Sequence, residues 1–71
     1  MLMNRSELIG REIRAGQSRM RLRQADIAVK LRMSLATYNR RLNEPERFTL
    51  EDLLKLEKVL KIELLNPNLK N

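Results

Sequence analysis

The stretch Gln-Ala-Asp-Ile-Ala-Val-Lys-Leu-Arg-Met-Ser-Leu-Ala-Thr-Tyr-Asn-Arg-Arg-Leu-Asn, residues 24–43, decides the fold. Ile27, Ala28 and Leu31 are spaced as one face of a helix. Ser34 is a good N-cap, because its hydroxyl can accept a free backbone N–H from the turn that follows. The stretch therefore predicts two short helices joined by a tight turn.

The second of these helices has two faces of different chemistry. Tyr38 and Leu42 lie four residues apart and are expected to point into the core. The opposite face is polar with one small residue, and it consists of Ala36, Asn39, Arg40 and Asn43. Amide and guanidinium groups pair with base edges in the major groove of DNA. This face therefore predicts a DNA-reading helix.

The same stretch resembles the helix-turn-helix of the phage repressor and Cro group, also called the xenobiotic-response-element type. The matching residues are Gln24, Ala28, Leu31, Met33, Ser34 and Tyr38. The resemblance implies an all-α, lambda repressor-like DNA-binding domain of four to five helices. We expect residues 1–71 to form this one domain.

The composition disfavours an enzyme. The 71 residues include no Cys and no His, which removes the usual metal ligands and the commonest general base. No Gly-rich phosphate loop is present either. We expect no catalytic activity, no metal and no cofactor.

The charge is divided unevenly along the chain. Residues 1–43 carry 10 Lys and Arg against 3 Asp and Glu, a net charge of +7. Residues 44–71 carry 5 against 6, a net charge of −1. A basic front half and a nearly neutral back half indicate one face that binds phosphate and another face with a different role.

The flanking segments predict the remaining helices. Ser6 is expected to cap a first helix that runs to about Met20. Pro45 should end the third helix near Asn43, because a proline disfavours helix at the residue before it. Thr49 is expected to cap a fourth helix. The apolar stripe of that helix is Leu53, Leu54, Leu56, Val59, Leu60 and Ile62.

Four positions depart from the family's pattern. Arg21 and Arg32 stand where the family has Gly in its turns, and Arg23 stands where it has a Thr or Ser cap. The two turns therefore either accept some strain or take another shape. Arg19, Arg21 and Arg23 either lie beside the DNA backbone or are ordinary solvated side chains. Glu57 replaces a small residue of the fourth helix, so we expect looser packing there.

Five residues of the third helix are expected to face the bases. Arg40 can pair with guanine and Asn39 with adenine, while Thr37 can contact a base or a phosphate. Ala36 permits close approach. Leu35 has two interpretations, since its spacing to the aromatic side chain of this helix favours the core and the family's equivalent position faces the bases.

A second set of residues is expected to contact phosphates. By resemblance, Gln24 clamps the DNA backbone at the start of the second helix. Arg23, Ser34, Arg41 and Asn43 are the other candidates, although Arg41 can also be a solvated or core-edge arginine.

Arg14 matches a family arginine that pairs with an acid near the end of the third helix. Leu42 stands at that acid's place, so Glu44 is a candidate substitute.

The expected partner is double-stranded DNA, bound by a homodimer on an inverted repeat. Leu54, Leu64, Leu65 and Leu69 form a candidate dimer patch, unless they close the domain's own core. We expect no membrane contact and no small-molecule effector. The predicted function is a sequence-specific transcriptional regulator, a small phage-type repressor in the cytoplasm at the nucleoid. The alternatives are an antitoxin or adaptor of the same fold, and a non-specific nucleic-acid binder.

Overall fold

The computed structural model describes residues 4–65, which form four α-helices and one 3₁₀ turn without a strand. The elements are α1 (Arg5–Met20), α2 (Gln24–Lys30), α3 (Leu35–Asn43), the 3₁₀ turn (Pro45–Arg47) and α4 (Leu50–Leu60). The predicted all-α, lambda repressor-like fold is confirmed. Within the described range, no helix is long and apolar enough to cross a membrane.

The start of α1 differs from the prediction. Asn4, not Ser6, is the N-cap: its side chain accepts the Glu7 N–H at 2.8 Å, and the Glu7 carboxylate accepts the Asn4 N–H at 3.2 Å. Ser6 lies inside the first turn and donates its hydroxyl to the Glu46 carboxylate at 2.6 Å. This hydrogen bond is the main reason that the pKa of Glu46 lies below its usual value. Asn and Ser are about equally favourable N-caps, so the sequence alone does not show which of Asn4 and Ser6 begins the helix.

The start of α4 follows the prediction. Thr49 Oγ1 accepts the Asp52 N–H at 3.1 Å, and the Asp52 carboxylate accepts the Thr49 N–H at 3.1 Å. Both backbone donors are satisfied by side chains, which fixes where the helix begins.

The core draws on every helix. Its aromatic pair is Tyr38 and Phe48, with ring centroids 6.2 Å apart and planes tilted by 54°. The buried members are Ile9, Ile13, Ile27, Ala28, Leu31, Tyr38, Leu42, Phe48, Leu53, Leu56, Leu60 and Leu64. Leu54, by contrast, is 46% exposed, so its predicted place in the apolar stripe of α4 is wrong.

Gly16 allows α1 and α4 to approach closely. A Cβ at this position would lie 3.0 Å from Ile62 Cγ2 and 3.1 Å from Leu60 Cβ. Real Cβ atoms rarely come so near their neighbours, so a larger residue would require Leu60 and Ile62 to shift by a few tenths of an ångström.

The expected looser packing at Glu57 is not what the structure shows. The Glu57 carboxylate accepts the backbone N–H groups of Leu64 at 2.7 Å and Leu65 at 3.0 Å. The Arg5 guanidinium donates to the Leu64 carbonyl oxygen at 3.2 Å. The two side chains thus hold the segment after α4 from both sides, and the Leu64 side chain is fully buried.

Three basic residues occupy the left-handed backbone region. Arg21 has φ 56° and Arg32 has φ 58°, so both turns keep the shape that favours Gly. Lys61, which ends α4, has φ 54° and was not predicted to be left-handed. A non-Gly residue in this conformation costs roughly 1–2 kcal/mol.

Candidate nucleic-acid interface

Helix α3 separates its apolar and polar faces cleanly. Tyr38 and Leu42 are 0% and 1% exposed, which anchors the helix in the core. Ala36, Arg40 and Asn43 on the other side are exposed. The two-faced pattern of the sequence is therefore present in three dimensions, and the polar face is open to a partner.

Ser34 fixes the first turn of α3. Its hydroxyl oxygen accepts the Thr37 N–H at 3.0 Å, and its Oγ–H donates to Thr37 Oγ1 at 2.9 Å. The Ser34 and Thr37 hydroxyls are therefore occupied with each other in the free protein. The Ser34 O–H can turn towards a phosphate only by giving up this contact, whereas the Thr37 O–H can donate to a phosphate while Thr37 Oγ1 still accepts from Ser34.

The candidate base-contacting residues lie along the open face. Leu35 is 44% exposed, so its core interpretation is wrong, and the base-facing interpretation stays a prediction. Thr37 and Asn39 are half-buried at the edges of the face. The structure thus brings these side chains together with Ala36 and Arg40, while their contacts with DNA stay predictions.

The two arginines of α3 have different surroundings. Arg40 is exposed, and its guanidinium makes no hydrogen bond or ion pair with any residue of the range 4–65. Arg41 is half-buried, and its Nη1 donates to Asp52 Oδ2 at 2.7 Å. Arg40 is therefore available for a ligand. Arg41 ties α3 to α4, which fits the core-edge interpretation, and its contact with phosphate stays a prediction.

The end of α3 is held by Arg14, although not through the acid expected from the sequence. Arg14 Nη2 donates to Asn43 Oδ1 at 2.9 Å. Glu44 pairs instead with Arg47, so the predicted Arg14–Glu44 pair is wrong. Asn43 is exposed and keeps an amide group that can still donate to a phosphate.

The start of α2 presents the remaining candidates. Arg23 extends into solvent, with 85% of its side chain exposed and only a long contact of 3.5 Å to Asp26. The Asp26 carboxylate accepts the Arg23 backbone N–H at 3.1 Å, and this bond is the main reason that the pKa of Asp26 is lowered. Gln24 is half-buried in the first turn. The sequence analysis did not identify Asp26 as a capping residue. Its position three residues after Arg23 is the one that a capping carboxylate usually occupies.

The open face of α3 and the start of α2 form one basic surface. The exposed cations of this part of the chain that form no salt bridge within residues 4–65 include Arg19 and Arg21 at the end of α1, Arg32 after α2, and Arg40 on α3. Such a surface suits the phosphates of nucleic acid. Residues 4–65 contain no group of three or more acids that could hold a metal ion.

Comparison with known proteins agrees with this geometry. A family model described as Helix-turn-helix matches residues 11–65, which include all of α2, α3 and α4. The chain belongs to the helix-turn-helix family. This is a family of DNA-binding domains. No curated protein and no solved structure matches the chain.

Proposed function

We propose that this helix-turn-helix protein is a sequence-specific transcriptional regulator of double-stranded DNA, and more narrowly a small repressor of the phage type. Helix α3 enters the major groove and the start of α2 lies against the phosphates. The protein acts in the cytoplasm at the nucleoid, without a catalytic step and without a small-molecule effector.

The observation that carries the proposal is the state of Arg40. Its guanidinium projects from the middle of the open face of α3 and has no acid partner among the described residues. Guanidinium is the group that pairs bidentately with guanine O6 and N7, and such a contact contributes about 1–3 kcal/mol of discrimination. A surface used only for phosphates would not need Asn39 and Ala36 beside it.

One small domain reads few base pairs, so we propose that two copies bind an inverted repeat. Half-sites about one helical turn apart place both copies on the same side of the duplex. The nearly neutral back half of the chain supports this arrangement, because two copies can approach there without strong repulsion. Of the candidate dimer patch, Leu64 is fully buried, Leu65 is half-buried, and Leu69 lies outside the described residues.

Selection of binding sites from random duplex DNA at near-physiological salt tests the proposal. We expect the wild-type protein to enrich an inverted repeat. Arg40→Ala should relax the preference at one base pair of each half-site and leave the others unchanged. Arg47→Ala is the matched control, because it removes the same charge from a residue paired with Glu44 outside the α3 face.

Two results would overturn the proposal. Wild-type binding that shows no preferred sequence and disappears as salt rises indicates a phosphate binder. Equal loss of preference in the Arg40 and Arg47 variants indicates that charge alone, and not base contact, governs binding.

A further inference from the structure

The ion pair between Arg41 and Asp52 is a direct link between α3 and α4. Arg41 Nη1 lies 2.7 Å from Asp52 Oδ2, and only 31% and 11% of the two side chains are exposed. Helix α3 packs mainly against α2, α1 and the 3₁₀ turn, and α4 packs mainly against α1 and α2. The ion pair therefore joins two helices that are not main packing partners of each other.

Asp52 is held in place by its own helix. The Oδ2 atom that meets Arg41 also accepts the Thr49 backbone N–H at 3.1 Å, and the Thr49 hydroxyl accepts the Asp52 N–H at 3.1 Å. These two bonds lie within the first turn of α4, so the carboxylate has a fixed position relative to that helix. Its burial also reduces screening by salt. Arg41 thus binds a rigid acceptor.

Arg41 lies on the flank of α3 and not on its open face. One residue turns an α-helix by about 100°, so Arg41 stands about 100° from Arg40 and about 140° from Ala36. It stands only about 60° from Tyr38, which is buried in the core. A side chain tied at this angle restrains the rotation of α3 about its own axis. That rotation decides where the Arg40 guanidinium points.

A second bond holds the other flank of α3. Arg14 of α1 donates to Asn43 Oδ1 at 2.9 Å, and Asn43 stands about 160° around the helix from Arg41. The two bonds therefore lie on nearly opposite sides of α3, and a rotation of the helix would stretch at least one of them. The acceptor for Arg41 is a buried carboxylate, whereas the acceptor for Arg14 is a neutral amide. The bond to Asp52 is therefore the stronger of the two.

We propose that Asp52 is a positioning residue for base recognition: through Arg41 it fixes the rotation of α3 at which Arg40 reaches its base pair. The Arg41 charge is satisfied by Asp52 in the complex and does not contact phosphate, in contrast to the role expected from the sequence. The inference rests on the proposed reading of DNA by Arg40, and it adds a residue of another helix on which that reading depends.

Two readouts of DNA binding test the inference. The first is the discrimination ratio, which compares the affinity for the selected site with the affinity for a site changed at the base pair that Arg40→Ala relaxes. The second is the slope of log affinity against log salt, which falls by about 0.9 for each phosphate contact that is lost. The discrimination ratio is taken within one protein preparation, so an inactive fraction of a less stable variant cancels.

Removing either partner of the ion pair should weaken discrimination. A bidentate base contact contributes about 5- to 150-fold to the discrimination ratio, and Arg41→Gln and Asp52→Asn should each lower it by about 5-fold or more. The double variant should lower it no further than either single variant, because both remove the same bond. Arg41→Gln should leave the salt slope unchanged. Asp52→Asn keeps an oxygen that can accept the Thr49 N–H, so the cap of α4 is retained.

Glu51→Gln is the matched control. Glu51 precedes Asp52 in the first turn of α4, is 75% exposed and pairs with Lys55 of the same helix at 3.4 Å. The variant makes the same change from acid to amide without removing a bond to α3. Its discrimination ratio and its salt slope should equal those of the wild type.

The outcomes separate this inference from the proposed function. A salt slope that falls by about 0.9 in Arg41→Gln assigns Arg41 to a phosphate and overturns the inference. Discrimination ratios that stay at the wild-type value in both single variants also overturn it. A double variant that loses the product of the two single losses shows that Asp52 does not act through Arg41, which overturns the positioning role. Wild-type binding without any preferred sequence overturns the proposed function itself.

Discussion

At the start of α4, the Thr49 hydroxyl and the Asp52 carboxylate each accept a backbone N–H, whereas at the start of α2 no such acceptor comes from the Arg23 side chain. Helices α1 and α4, which we call the frame, begin with complete side-chain caps. The unit formed by α2 and α3 is flanked or interrupted by left-handed arginines. The frame therefore follows the usual preferences for helix caps and turn residues more closely than the unit of α2 and α3 does.

The difference indicates that the frame mainly stabilises the fold and that the unit of α2 and α3 mainly serves binding. Natural sequences depart from local preferences mainly at functional sites. In this chain the departures place arginine where the resembling family has Gly, Thr or Ser, beside the candidate nucleic-acid interface. Lys61 complicates the comparison, because it is left-handed at the end of α4 and belongs to the frame. A cation also suits the carboxyl-terminal end of any helix. The variants below distinguish a role of these cations in DNA binding from the preference of helix ends for a cation.

The largest effect is expected from Asp52→Ala in the frame. The change removes the acceptor of the Thr49 N–H and the partner of Arg41, so we expect a loss of about 2–4 kcal/mol in the free energy of unfolding. Urea denaturation measures it. Glu51→Ala, which removes only an exposed contact with Lys55, should change stability by less than about 0.5 kcal/mol. Equal effects of the two variants would contradict the capping role of Asp52.

Glu57→Ala should produce the next largest effect. Two backbone N–H groups lose their charged acceptor, which we expect to cost about 1–3 kcal/mol. Hydrogen exchange at Leu64 and Leu65 should accelerate more than exchange in α2. Lys58→Ala, at the adjacent exposed position, is the control. Unchanged exchange at both leucines would show that the carboxylate does not hold this segment in solution.

Glycine substitutions at the left-handed positions address the comparison directly. Arg21→Gly, Arg32→Gly and Lys61→Gly should each stabilise the protein by about 0.5–1 kcal/mol, since the strain of the side chain is removed. If the arginines contact phosphates, the two arginine variants should also lower the slope of log affinity against log salt by about 0.9 each. Lys61→Gly should leave this slope unchanged. Equal slopes for all three variants would assign the cations to the helix ends alone.

Tyr38→Phe should have the smallest effect at neutral pH. The Tyr38 hydroxyl is buried without a hydrogen-bond partner among the described residues, so its removal should be nearly neutral or slightly stabilising. Burial raises the pKa of Tyr38 to about 12 from 10.0. The folded state therefore holds the proton more tightly than the unfolded state, and wild-type stability should fall as the pH rises from about 10 to 12. The Phe variant should lack this component, so the stability difference between the two proteins should widen only above pH 10.

The sequence predicted the helix-turn-helix because its signals are local. Helical spacing placed Tyr38 and Leu42 inside, Ser34 marked the start of α3, and Pro45 marked its end. Apart from the N-cap of α1, which is Asn4 and not Ser6, the errors concern contacts between distant segments. The bond from Glu57 to Leu64 requires the chain to fold back after α4. The exposure of Leu54 depends on which side of α4 meets α1 and α2. The bond from Arg14 to Asn43 required the helix spacing to be known to within one residue.

The bond between Arg5 and the Leu64 carbonyl has a topological consequence. It joins the first turn of α1 to the segment after α4, so the described chain begins and ends at nearly the same place. Joining these two places would make the backbone circular. The helices would then keep the same cyclic order wherever the backbone is opened. A short linker across this junction would therefore allow new termini to be opened in a surface turn, as proteins with adjacent ends commonly tolerate.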